Sequence, residues 1–213
     1  MNRNRTLRQA LPDFIPEAAV DMVASWFDKN HVILKITRNR LTKLGDFRGA
    51  PAGKPVSISV NHNLNKYNFL ITLLHEMAHA EVHFNYTRRM APHGKAWKLA
   101  YQRLAMPFIT EEIFPDDIKQ AYLRYLKNPL ASSTSFLPLA AALREYDNNS
   151  HEIVVSMLQP ETLFALADGR VFKMVEKLRK RYRCYCLDNK RTYLFNAMAI
   201  IKPLGDNNTT PVD

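Results

Sequence analysis

The chain has 213 residues, 46% of them apolar and 23% charged, which excludes a disordered polyelectrolyte and allows one substantial core with room for a small appended module. Its net charge of +10 favours polyanionic partners through counterion release, and no apolar stretch approaches the ~20 residues that a membrane-spanning helix needs. The two cysteines, Cys184 and Cys186, are one residue apart, which excludes a disulfide framework and points to a reducing, cytoplasmic compartment.

The first residues, Met1 to Arg8, are basic and lead into Leu11-Pro-Asp-Phe-Ile-Pro16 instead of an apolar run, so no secretory signal is expected. Pro16 to Asn30 predicts a helix, with Val20, Val23, Trp26 and Phe27 at helical spacing. Val32 to Thr37 and Val56 to Val60 alternate apolar and polar residues and predict strands, with a Lys/Arg/Gly/Pro-rich loop, residues 38–55, between them. The clearest helical pattern runs from Tyr67 to Phe84, with Leu70, Ile71, Leu74 and Ala78 on one stripe. His93 opens a further helix that carries Trp97 and ends near Pro107, and Pro115 to Lys127 and Phe136 to Tyr146 predict two more.

Composition changes after Asp147-Asn-Asn-Ser150, which sets expected domains of 1–150 and 151–213. Ala167-Asp-Gly-Arg170 reads as a hairpin turn between Leu163–Leu166 and Val171–Val175, and strands over Arg179–Leu187 and Thr192–Ile201 flank a second turn at Asp188-Asn-Lys190. The second domain is therefore expected to be all-β.

The helix over residues 67–84 contains His75-Glu-Met-Ala-His79. Side chains four apart share one helical face, about 5–6 Å apart at Cβ, so both imidazoles can reach one ion. Neutral imidazole suits zinc, and a catalytic zinc takes three protein ligands and keeps one position for water. Glu76 need not ligate; it can act as the general base that takes the water's proton. The third ligand must come from Glu81, His83 or His93. Glu81 points to the far side of the helix, since each residue turns it by about 100°. His83 shares the stripe of His75 and His79, and His93 follows a loop that can return it over the metal, with Gly94 permitting close backbone approach and Trp97 anchoring the next helix. His93 is the favoured ligand and His83 the alternative. His31, His62 and His151 read as surface or loop residues.

Taken together, His75-Glu-Met-Ala-His79 and His93-Gly-Lys-Ala-Trp97 resemble the two-part motif of the SprT-like zinc metallopeptidases, the family related to the eukaryotic protease Spartan. The resemblance covers about residues 16 to 110. It implies an α+β, zincin-like metallopeptidase domain with an HExxH active-site helix, one zinc ion per chain on His75, His79 and His93, Glu76 as catalytic base, and a protein or peptide substrate. It further implies that Val56–Val60 is an edge strand able to receive an extended peptide. The chain departs from many members at its end: Cys184-Tyr-Cys186 cannot form their four-cysteine zinc ribbon, and the arrangement resembles a bacterial subgroup without the ribbon.

Between Arg170 and Arg191 nine basic residues meet two acidic ones, so this stretch holds +7 of the chain's charge. Read with period two, Arg179, Arg181 and Arg183 share one strand face, with Tyr182, Cys184 and Cys186 on the other. Such an arginine face suits phosphate, with Tyr185 available to stack on a base, and makes DNA or RNA an expected partner; a merely solvated face is the alternative. Arg38, Arg40, Lys43 and Arg48 could extend that surface towards the metal. The expected function is peptide hydrolysis by a Glu-activated zinc-bound water, including on DNA-associated proteins. The alternative is a nucleic-acid-binding or stress-associated scaffold with a non-catalytic zinc.

Overall fold

The computed structural model describes residues 5–40, 43–49, 55–88, 90–148, 150–179 and 181–204. It is an α+β structure that divides into two compact units, Met1–Asn148 and Asn149–Asp213. Lys180 of the basic run lies outside the described residues.

The described part of the first unit contains helices α1 (Leu7–Ala10), α2 (Val20–Asn30), α3 (Lys66–Asn85), α4 (Lys95–Ala105), α5 (Asp116–Leu126) and α6 (Leu137–Arg144) and strands β1 (Ile33–Thr37), β2 (Gly45–Arg48) and β3 (Ser57–Asn61). The sheet order is β1-β3-β2, with β1 parallel and β2 antiparallel to β3. Residues 69–74 of α3 are buried on every side of the helix, because α3 lies between β2 and β3 on one face and α4 on another. Its start is fixed by Asn65, whose side-chain oxygen accepts the Asn68 N–H at 2.9 Å while its Nδ2 donates to Leu143 O at 2.8 Å. That cap sets the rotational phase of every residue that follows, including His75, Glu76 and His79. α2 ends on His31 in the left-handed region at φ 51°.

Strand β2 falls inside what the sequence presents as a loop. Gly-Asp-Phe-Arg has one strongly apolar residue and low strand propensity, so it pairs because β3 offers an open edge and α3 offers a surface for Phe47. The consequence corrects an expectation: β3, with a partner on each side, is not an edge, and β2 is the edge strand nearest α3.

The second unit forms a five-stranded sheet of order β7-β6-β5-β4-β8, from β4 (Leu163–Ala165), β5 (Val171–Lys177), β6 (Tyr182–Cys186), β7 (Thr192–Phe195) and β8 (Lys202–Leu204). Gly169 at φ 86° and Lys190 at φ 58° take the left-handed positions of the β4–β5 and β6–β7 turns. Phe164, Phe172, Met174, Tyr182, Cys184 and Cys186 form its core, packed by Phe195 and Tyr193 edge-on to Phe172. The expected long strand to Ile201 is broken: β7 stops at Phe195, and Ile200 forms an isolated bridge with Val154. Among the described residues, no helix is long and apolar enough to cross a membrane.

Candidate metal centre

His75 and His79, one helical turn apart on α3, bring their Nε2 atoms to 3.3 Å. His93 approaches from the turn before α4, and its Nε2 lies 3.1 Å from that of His75 and 3.0 Å from that of His79. The turn reaches this far because His93 is left-handed at φ 57° and Gly94 follows it. A Cβ on Gly94 would stand 3.0 Å from Ala91 O, so a larger residue would push the turn open.

Trp97, buried one turn into α4, covers the back of the cluster. Its ring centroid is 4.6 Å from His75, 5.4 Å from His79 and 4.7 Å from His93, and its indole N–H donates to His75 O at 3.3 Å. Behind it stands buried Tyr101, whose hydroxyl donates to Ile71 O and accepts from Tyr122. This wall dries one side of the histidines. Burial pushes His75 down to about 3, helped by charge repulsion from His79 and His93, and burial pushes His79 down to about 4; His93 is lowered by burial as well.

The donor set fits a metal ion. Three mutually adjacent Nε2 atoms cannot satisfy one another by hydrogen bonds, since each neutral ring offers either one proton or one lone pair at that atom. Protonation is disfavoured by burial. Three lone pairs converging on one point are stabilised by a cation of borderline softness, for which imidazole is a good ligand.

Glu76 is 8% exposed and lies on the side of α3 that faces β2. A Cβ on Gly45 would stand 2.6 Å from Glu76 Oε1 and 2.9 Å from Thr72 Cγ2, so the bare glycine backbone rests directly on the acid. Burial first, and then the nearby charge of Asp46, raise the Glu76 carboxyl to about 7; the Phe47 backbone N–H directed at it, and the cations of Arg40 and Lys43, act the other way. The Phe47 ring stacks against His79 at 6.5 Å and packs against His83 at 5.5 Å. The carboxylate is thus held against β2, one residue after His75, and is not one of the converging groups.

The other candidates take separate places. Glu81 accepts from Trp26 Nε1 at 3.3 Å and pairs with Arg103, which ties α2, α3 and α4 together away from the cluster. His83 is exposed, beside Gly49 and Phe47 and outside the triad. His31, His62 and His151 are exposed. Arg40 turns inward to Asn61 and Ser59, and Lys43 and Arg48 both pair with Asp46, so these cations do not form an open basic patch.

In the second unit, β6 begins only at Tyr182. Leu178 N–H donates to Arg181 O at 2.7 Å, which closes a turn that contains Arg179 and Arg181, and only Arg183 lies on the strand. Arg183 pairs with Glu176 at 2.6 Å, Lys173 with Glu161 and Arg170 with Asp168. The single arginine face read from period two is therefore absent. What remains is an exposed turn with Lys177, Arg179 and Arg181, none of which forms an ion pair among the described residues.

Sequence reasoning gave Gly45, Phe47 and Asn61 no role, and it assigned Arg40 to a basic surface instead of the inward contacts it makes. The one available signal was the pair of glycines, Gly45 and Gly49, bracketing a lone aromatic residue.

The profile of the SprT-like family matches residues 19–116, which takes in β1 to β3, α3, α4 and all three histidines, and that segment is SprT-like. Searches of curated proteins and of solved structures gave no match.

Proposed function

We propose that this chain, SprT-like over residues 19–116, is a zincin-like zinc metallopeptidase in which His75, His79 and His93 hold one Zn2+ ion and Glu76 is the general base. The observation that carries the reading is the convergence of three imidazole Nε2 atoms within 3.3 Å, with a buried carboxylate at the next position of the same helix. A structural metal site needs no such carboxylate.

When bound, zinc lowers the pKa of a coordinated water towards about 7 and polarises a carbonyl oxygen. The Glu76 carboxylate would take a proton from the attacking water and return it to the leaving amine. In the metal-free chain burial raises the Glu76 carboxyl to about 7; a bound cation would favour its ionised form, the form that accepts a proton. Trp97 and Tyr101 keep water from the rear of the histidines.

The edge that receives substrate is β2. Asn61 N–H donates to Leu44 O at 2.9 Å, so Leu44, Asp46 and Arg48 face β3, and the backbone groups of Gly45 and Phe47 face away from it, where the Phe47 N–H meets Glu76 and the Gly45 N–H and C=O and the Phe47 C=O are left for a peptide. An extended peptide adding there would run alongside Glu76. An unfolded protein segment is therefore the substrate class.

A nucleic acid is the proposed partner of the second unit, with phosphates meeting Lys177, Arg179 and Arg181 at the β5–β6 turn, and proteins associated with DNA are the proposed targets. The unpaired thiols of Cys184 and Cys186 support a reducing, cytoplasmic setting. The alternative, a scaffold with a non-catalytic zinc, is tested together with the first. Purified chain is assayed for bound metal and for cleavage of β-casein with and without DNA. One zinc per chain with cleavage supports the peptidase, and one zinc without cleavage in either condition supports the scaffold.

A further inference from the structure

We infer that Asn61 and Arg40 are positioning residues of the metal centre: they lock the segment that leads into β2 onto β3, and β2 in turn fixes where the Glu76 carboxylate stands. The catalytic consequence rests on reading Glu76 as the base; the positioning itself does not.

Asn61 ends β3 and is fully buried. Its Nδ2 donates to Arg40 O at 3.2 Å and to Lys43 O at 3.0 Å, and its Oδ1 accepts from Arg40 Nε at 2.8 Å and from Thr37 Oγ1 at 3.3 Å. Those four bonds exhaust the capacity of an amide side chain. Three of the four go to residues just ahead of β2, and the fourth ties the same point to β1. Arg40 completes the lock: its guanidinium also donates to Ser59 Oγ at 3.0 Å and to Leu44 O and Ser59 O at 3.4 Å. A half-buried arginine whose fork is spent on backbone carbonyls and on the Asn61 and Ser59 side chains serves internal geometry, not an external ligand.

The segment so held matters because of what it touches next. Gly45 rests on Glu76 and Thr72, the Phe47 N–H is aimed at the Glu76 carboxylate, and the Phe47 ring lies along His79. β2 is only four residues long and sits at the sheet edge, so pairing with β3 alone holds it weakly. The side-chain lock at its entry supplies the missing rigidity.

The test uses the full, zinc-loaded chain with Asn61→Asp, which keeps shape and acceptor atoms but removes both donors, and Arg40→Met, which keeps the stem and removes the fork. Arg40 is half-buried, so the second variant tolerates the change if the first does not fold. Amide hydrogen exchange should rise about tenfold or more at Asp46 and Phe47, and stay within about threefold at Ile58 and Val60, whose amides face β1. Zinc should remain at one per chain. Cleavage of β-casein should fall about tenfold, and neither variant should lower it further in a Glu76→Gln background, because residues that act through one group are not additive. Unchanged exchange at Asp46 and Phe47, equal loss across Ile58 and Val60, or additive loss with Glu76→Gln would overturn the inference. A parent that cleaves no casein overturns the peptidase reading instead, and the exchange and zinc results still decide the role of Asn61 and Arg40.

Discussion

Trp97 donates its indole N–H to the carbonyl of His75 at 3.3 Å and lays its ring 4.6 Å from the same residue's imidazole, so one side chain from α4 fixes both the backbone and the ring of a residue on α3. Trp97→Phe keeps an aromatic ring but removes the N–H and part of the buried area. It should leave the fold intact and weaken metal binding about 10-fold, towards the lower end of what lost support around a ligand costs. Chelator competition against the parent checks this; equal affinity would show that the indole only fills space.

The ligand set gives a sharper prediction. His75→Ala, His79→Ala and His93→Ala should each empty the site, whereas His83→Ala should retain one zinc per chain, because His83 lies exposed beside Gly49 and Phe47. Metal analysis after dialysis decides it. Retention by His93→Ala with loss by His83→Ala would reverse the assignment.

Glu76→Gln preserves size and hydrogen-bonding shape, so zinc content and melting temperature should hold while hydrolysis falls by at least ~10²-fold, the usual scale for a lost general base. Gly45→Ala should act on the same group from the other side, since its methyl would meet Glu76 Oε1 at 2.6 Å and force β2 or the carboxylate to move. If Gly45→Ala is as active as the parent, β2 does not set the position of Glu76.

The metal-free chain should lose stability in acid, with a sign that follows from the buried groups. His75 at about 3 and His79 at about 4 lie below the ordinary 6.5, so between those values the unfolded chain takes up protons that the folded chain refuses. Their contribution is full above pH 6.5 and is lost as pH falls. Glu76 works oppositely: at about 7 against 4.5, it keeps a proton in the folded chain that the unfolded chain sheds between pH 4.5 and 7. In the overlap His75 and His79, with His93 lowered as well, outweigh the one carboxyl, so stability falls with pH by at least about one proton's worth, ~1.4 kcal/mol per pH unit. Glu76→Gln removes the opposition and should steepen the slope between pH 4.5 and 6.5 by about one proton's worth, ~1.4 kcal/mol per pH unit. Urea unfolding of chelator-treated protein at several pH values checks it; identical slopes would mean that Glu76 is not protonated in the folded chain.

The parts of this molecule that could be read from sequence are those whose signal is local. The stripe of α3, the four-residue spacing of His75 and His79, and the His93-Gly94 turn with Trp97 behind it all lie within short stretches with their own periodicity. The turns at Gly169 and Lys190 announce themselves by composition. What could not be read depends on partners distant in sequence. β2 exists because β3 and α3 supply an edge and a surface, and Asn61 looks like an ordinary polar residue until Arg40, Lys43 and Thr37 converge on it. The period-two reading of Arg179, Arg181 and Arg183 failed for a related reason: alternation cannot show where a strand yields to a turn, and the Leu178–Arg181 hydrogen bond places that point at Tyr182.

That correction alters which residues should bind nucleic acid. Arg183 is neutralised by Glu176 at 2.6 Å and sits on the strand, while Lys177, Arg179 and Arg181 surround an exposed turn with no acidic partner among the described residues. Each phosphate contact made by a cation releases counterions and contributes about 0.9 to the slope of log K against log salt on duplex DNA. Replacing Lys177, Arg179 and Arg181 by Ala should therefore lower the slope by about two to three units, roughly one per contact. Arg183→Ala should change it by less than about one unit, because breaking an exposed ion pair costs little and frees Glu176 without removing a phosphate contact. Zinc content should stay the same in both variants, since His75, His79 and His93 all lie in the first unit. A salt titration of binding to a labelled duplex compares the three proteins. If the triple variant and the parent give superimposable slopes, the turn is solvated surface and DNA is not a partner of this unit; if Arg183→Ala alone flattens the slope, phosphate is met on the strand face and the turn is incidental.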